Sequence, residues 1–110
     1  MSYNIVPTDN FKKEAKRLIK KYASLKSELE KLNDELEENP TLGTHLGNDI
    51  YKIRLAIASK GKGKSGGARL MSFVKVIETT VYLFSIYNKG EKDSISDKEI
   101  QEILKKEELL

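Results

Sequence analysis

Seven cations and no carboxylate occupy residues 50–77, IYKIRLAIASKGKGKSGGARLMSFVKVI: Lys52, Arg54, Lys60, Lys62, Lys64, Arg69 and Lys75. The 20 Lys and Arg of the whole chain, less these seven, leave 13 against 17 Asp and Glu, so the net +3 divides into about +7 here and −4 elsewhere. Charge of one sign concentrated on one surface attracts a polyanion. Four glycines, Gly61, Gly63, Gly66 and Gly67, interleave with the lysines. They could serve only to make a wide turn that lysines keep soluble. Glycines also let backbone N–H groups approach phosphate oxygens closely, and the flanking cations extend the loop into one positive surface. The chemistry these residues favour is the binding of a polyanion through its phosphates. A more specific reading fails: Gly63-Lys64-Ser65 looks like the end of a nucleoside triphosphate loop, but that motif needs glycine where this chain has Ala58, and it must open a helix.

Two extended segments must position these cations. Tyr51, Ile53, Leu55 and Ile57 fall on one side and Lys52, Arg54, Ala56 and Ala58 on the other, because strand side chains alternate with period two. Lys52 and Arg54 therefore project together. Beyond the nine-residue loop SKGKGKSGG, the run ARLMSFVKVI is rich in β-branched and large apolar residues. The unit reads as strand, basic loop and strand, paired as a hairpin. A loop longer than the usual hairpin connection is often functional.

At 110 residues, 38% hydrophobic and 34% charged, the chain has the length and composition of one globular domain spanning 1–110. It has no cysteine, which excludes a disulfide framework, a thiolate nucleophile and a cysteine zinc site. No apolar run approaches the roughly 18 residues of a membrane span, and the N-terminus lacks the basic-then-apolar pattern of a leader, so the expected location is the cytoplasm.

In chain order, Ser2 to Val6 reads as a first strand ended by Pro7. Asp9 is placed to cap a helix whose Phe11, Ala15, Leu18, Ile19 and Tyr22 share one face, while Lys12, Lys13, Lys16, Arg17, Lys20 and Lys21 form a solvated one. Ser24 opens a second helix with Leu25, Leu29, Leu32 and Leu36 as its stripe, and Asn39-Pro40 stops it. About two heptads are too few for a coiled coil, so the pair reads as a helical hairpin packed on a sheet. Residues 40–49 read as a loop, with His45 structural or merely exposed. Val81 to Tyr87 is a further strand after the turn Glu78-Thr79-Thr80. Ser96 and Glu99 form the capping box of a last helix with Ile100, Ile103 and Leu104 on one edge. The order βααβββα predicts an α+β domain: a small antiparallel-rich sheet with helices on one face.

That order, the strand YKIRL, the loop SKGKGKSGGARL and the ending YLFSIYNKGEK resemble the RelE/HigB family of bacterial toxins, the loop being most similar to the HigB branch. The resemblance covers nearly the whole chain. It implies a RelE-like fold and a type II toxin that enters the ribosomal 30S A site and cleaves messenger RNA, held in check by a cognate antitoxin. It implies no cofactor, no metal, no membrane partner and a monomer when alone. Lys52 and Arg54 match the paired basic positions of the family's second strand, Arg69 the arginine opening its third, and Lys89 the basic residue after its last. Where some relatives have a tyrosine a few residues further on, this chain has about Ile95. Tyr87 lies nearby on the strand, and the identity of the general base stays open between it and lysine.

Metal-free RNA cleavage needs the 2′-OH deprotonated, the phosphorane charge stabilised and the 5′-oxygen protonated. Arg69, with its planar fork, suits the phosphoryl oxygens, together with Arg54. Crowded like charges favour the neutral form of a lysine, which makes Lys52 the provisional base, and Lys89 is the candidate acid. Lys60, Lys62, Lys64 and Tyr87 would hold the RNA. Two other readings compete: a non-catalytic toxin like the gyrase-poisoning ParE proteins, and a plain RNA-binding module.

Overall fold

The computed structural model describes residues 2–60 and 66–110, of residue 60 only the backbone. It opens with β1 (Asn4–Pro7) leading directly into α1 (Asp9–Lys21). The cap of α1 is Thr8 rather than Asp9: the Thr8 hydroxyl accepts from Phe11 N at 3.2 Å. The strand decides this, because the Thr8 N–H is still donated to Leu83 O at 2.9 Å and holds Thr8 in the extended backbone a cap requires. Asp9 falls in the first turn, where its charge suits the helix dipole. α2 (Leu25–Glu38) ends at Asn39, whose backbone is turned from helical angles ahead of Pro40.

Residues 40–49 are not a plain loop. They contain β2 (Thr44–Gly47), joined to β3 (Ile50–Leu55) by Asn48 and Asp49 at φ 52° and 63°. Two consecutive residues of positive φ make the tight turn that matches strand twist, and Asn and Asp tolerate it better than most. A short 3₁₀ turn at Ala58–Lys60 follows β3; then come β4 (Ala68–Lys75), β5 (Thr80–Asn88) and α3 (Asp97–Lys106). The sheet order is β1-β5-β4-β3-β2, with β1 parallel to β5 and the other pairs antiparallel. The expected basic hairpin is therefore β3–β4. Its closing end depends on Gly67, where a Cβ would stand 2.1 Å from Leu55 O.

Both faces of the sheet are covered, a correction to the expectation of helices on one. Ile53, Leu70, Val74, Val81, Leu83 and Ile86 pack with Phe11, Leu18, Leu25, Leu32 and Leu36 of the helical hairpin. On the opposite face Ile50, Met71, Phe73 and Phe84 pack with Ile100 and Leu104 of α3. The cause lies in β4, where seven consecutive residues from Ala68 to Val74 are buried. A strand apolar on both faces must be sheltered on both. α3 starts at the expected capping box of Ser96 and Glu99.

Past the end of β1, side chains of α1 take over the free edge of β5. Asn10 Nδ2 donates to Phe84 O at 2.8 Å, and Glu14 Oε1 accepts from Ile86 N at 3.2 Å and Ser85 Oγ at 2.9 Å. These contacts satisfy backbone groups that would otherwise template pairing with another strand. They also anchor the half of β5 that leads into the site.

Candidate functional site

The site begins with register. Arg54 pairs with Arg69 across β3–β4, and Arg69 pairs with Tyr87 across β4–β5. Directly opposed residues share a face, so the three side chains form one row across the sheet. Lys52, two residues before Arg54, lies on the same face opposite Met71. It is the face that carries α3, and the row occupies the end opposite Ile50 and Phe73.

Tyr87 reaches this face through a β-bulge. Between Met71 and Ser72 the register slips so that Ser85 and Leu83 oppose them and Phe84 is left over. Val81 and Leu83 pack under the helical hairpin, as does Ile86, whereas strict alternation would have put Tyr87 with Val81 and Leu83. The extra residue reverses the parity and turns Tyr87 towards Arg69.

Burial grades the row. Arg54 is exposed and Lys52 half-buried, but Arg69 is 5% and Tyr87 4% exposed. Arg69 Nη1 donates to Ala68 O at 3.2 Å. As it stands Arg69 contributes its electrostatic field, and direct contact with a phosphate requires neighbouring segments to shift. The Tyr87 hydroxyl is buried without a hydrogen-bond partner. Burial pushes its proton affinity up, and the cations Arg69, Lys89 and Lys92 offset only part of that rise. The phenol is therefore held protonated at neutral pH, a donor rather than a base.

Lys89 follows β5, its N–H bonded to Gly67 O at 3.0 Å, which ties it to the far end of the basic loop. Its ammonium is engaged: Nζ lies 2.7 Å from Asp93 Oδ1 and 2.8 Å from Asp93 O. Hydrogen bonding and attraction to Lys89 hold the Asp93 carboxyl below the usual range, and Lys52 adds to the effect. Lys92 sits 6.0 Å from the centre of the Tyr87 ring and is bonded to Glu99 in the first turn of α3. Glu91, between them, accepts from Arg17 at 3.0 Å and Lys21 at 3.3 Å, tying the segment to α1. Sequence reasoning missed Lys92 and Asp93. The available signal was the spacing of four from Lys89 to Asp93 around Gly90, a turn rather than a tail.

The structure thus brings together Lys52, Arg54, Arg69, Tyr87 and Lys89. Lys62 and Lys64 lie outside the described residues, as does the side chain of Lys60. Lys75 does not join the group, since it stands six residues along β4 from Arg69, roughly 20 Å away, and pairs with Glu78 at 3.7 Å. Ile95, at the place of the relatives' tyrosine, packs into the core beneath α3. His45 is exposed, its ring 4.9 Å from that of Tyr51.

Clefts of about 530 and 560 Å³ flank α1 and α2 away from the row, and an open one of about 420 Å³ between α2 and β3 is lined in part by Lys52 and Arg54. The row is a cationic surface with a buried phenol at its end, a form suited to a polymer crossing it. Among the described residues no cluster of three or more His, Asp and Glu side chains could hold a metal ion. Nor is any helix there long and apolar enough to cross a membrane.

Comparison with known proteins bears on the family and the fold. The family model described as RelE toxin of RelE / RelB toxin-antitoxin system matches residues 4–109. An arginine double mutant of the E. coli toxin RelE in its free state superposes with TM-score 0.66 at 22% identity, over 96% of this chain and 98% of that one. The isolated E. coli RelE toxin gives TM-score 0.61 at 21% identity over the same shares. These likenesses bear out the α+β fold.

Proposed function

The chain belongs to the RelE toxin family of RelE / RelB toxin–antitoxin systems, and from that premise we propose that it is a ribosome-dependent endoribonuclease cutting messenger RNA in the A site. The observation that carries the reading is the row Arg54–Arg69–Tyr87, with Lys52 and Lys89 at its margins, on one surface. Messenger and ribosomal RNA supply the polyanion, and a cognate antitoxin is the protein partner. The site of action would be the cytoplasm, with residues 1–110 acting as one monomeric toxin domain. The finer likeness to the HigB branch rests on the loop sequence alone.

In this mechanism Lys52 and Arg54, the accessible cations, meet the backbone first. Arg69 stabilises the charge that develops on the phosphoryl oxygens, through its field at first and as a direct donor once the segments covering it have shifted. Lys52 is the candidate base for the 2′-OH. Lys89 donates to the 5′-oxygen once released from the Asp93 carboxylate. Tyr87, held protonated and buried, becomes a second donor to the reacting phosphate, and its ring a surface against which a base can stack, once the same shift uncovers it. No metal or cofactor is invoked. General acid–base catalysis contributes about 10²- to 10⁴-fold, so orientation by the ribosome must supply the rest, and cutting of free RNA should be slow.

The test is primer extension on messenger RNA translated in a purified system, with the unmodified protein, Arg69→Ala and Arg54→Ala. Cuts at A-site codons that need ribosomes and disappear in folded variants uphold the reading. Blocked translation without cuts would replace it with ribosome inhibition. Neither effect, with gyrase poisoned instead, would point to a ParE-like toxin, and harmless RNA binding to a plain binding module.

A further inference from the structure

Lys89 is held by an acidic residue that belongs to the site's own margin. Both the carboxylate and the carbonyl of Asp93 meet its ammonium group, at 2.7 and 2.8 Å, while the Asp93 side chain is 92% exposed. The turn that carries Asp93 does not depend on that carboxylate. Gly90 N donates to Asn88 Oδ1 at 3.1 Å, and Glu91 N and Lys92 N donate to Asn88 O at 2.9 Å each. This is an exposed carboxylate that none of these turn contacts requires, placed on a cation of the proposed RNA site.

We propose that Asp93 is a specificity-determining residue: its carboxylate stands in for a substrate phosphate on Lys89 and must be displaced before RNA can seat. This rests on the RNA-cleavage reading above. Displacement costs every substrate the same, but it lowers their occupancy of the site unequally. A free oligonucleotide must supply the whole displacement from its own weak binding. A message held by a larger surface brings its phosphate to Lys89 at high effective concentration and wins the exchange. Asp93 thereby biases the site against loose RNA. The Asp93 carbonyl keeps Lys89 in place either way, so only the charge is exchanged.

The experiment compares the unmodified protein with Asp93→Asn, which keeps shape and an acceptor oxygen, and Asp93→Ala. Asp34→Asn, an equal charge change on the exposed face of α2, sets the background of net charge. Binding of a labelled 2′-deoxy-substituted RNA oligonucleotide is read by anisotropy, and cutting is read on free RNA and on ribosome-bound message. An exposed ion pair has modest strength, so both Asp93 variants should bind about three- to fivefold tighter. Their cutting of free RNA should rise in proportion, and by less on ribosomes. Binding unchanged or weakened in both variants, or tightened equally by Asp34→Asn, would overturn the proposal. Tighter binding with an unchanged ratio of free to ribosomal cutting would overturn the specificity role. Failure of the unmodified protein to cut ribosomal message would count against the cleavage reading, while the binding comparison still decides whether Asp93 displaces phosphate.

Discussion

Two ends of one sheet face are built from the same strands in opposite ways. At one end Ile50, Met71, Phe73 and Phe84 meet Ile100 and Leu104 of α3 in a sealed core. At the other, in the same pleat, stand Lys52, Arg54, Arg69 and Tyr87. The apolar end gains from burial, at about 25 cal/mol per Å² of apolar surface removed from water. The cationic end buries the Tyr87 ring too, but it also gathers like charges and buries a hydroxyl without a hydrogen-bond partner. A buried hydroxyl without a partner costs stability, and the strands that carry it are held by the apolar end. The folding energy of this face therefore resides mainly in one half and the proposed chemistry in the other.

Substitutions should separate the two halves. Phe84→Ala, at a fully buried position, should cost roughly 3–5 kcal/mol by urea unfolding. Arg69→Ala should lower ribosome-dependent cutting by about 10²- to 10³-fold. If it does so only by unfolding, as judged by circular dichroism, the division between halves fails at its centre. Arg54→Ala guards against that ambiguity, since an exposed site should change stability by less than about 0.5 kcal/mol while cutting falls.

Tyr87→Phe sharpens the contrast further. A buried unpaired hydroxyl carries a desolvation cost of about 1–3 kcal/mol, so its removal should leave the melting temperature unchanged or raised. Cutting should fall by about tenfold or more if the phenol donates to the reacting phosphate, the worth of one hydrogen bond to a charged group. A loss of stability with no loss of cutting would place Tyr87 in the core and not in the site.

The smallest effect concerns acid. Glu91, Asp93 and Glu99 are all held below their ordinary range, chiefly by hydrogen bonds from Arg17, Lys89 and Lys92 respectively. A depressed carboxylate stabilises the fold above its unfolded value of about 4 and ceases to do so as pH falls through the folded value. Thermal melts should thus be flat near neutrality and decline slightly below about pH 4. Because these groups are solvent-exposed, the decline should shrink in high salt. A decline beginning near pH 6 would assign it to other groups.

Much of this was legible in the residues. The period-two alternation of Tyr51 to Leu55, the capping box at Ser96 and Glu99 and the stop at Asn39-Pro40 are local features, set by neighbours a few positions away. So was the excess of charge around Lys52, Arg54 and Arg69, and with it the expectation of a phosphate-binding surface. Other features depended on partners distant in the chain. Thr8 displaced Asp9 as cap because its N–H was engaged by Leu83. β2 emerged because Asn48 and Asp49 could close a turn onto β3.

The row itself divides in the same way. Composition and alternation alone determined that Lys52 and Arg54 project together and that Arg69 opens the next strand. Only the tertiary structure decided that Arg69 is buried, that Lys89 sits on Asp93, and that Tyr87 faces them. The last turns on the bulge that leaves Phe84 over, and a bulge is a mismatch between two strands that neither strand encodes by itself. Alternation can be read along one strand. Which face a residue finally presents depends on the count against its neighbour, and that count exists only once the sheet has formed.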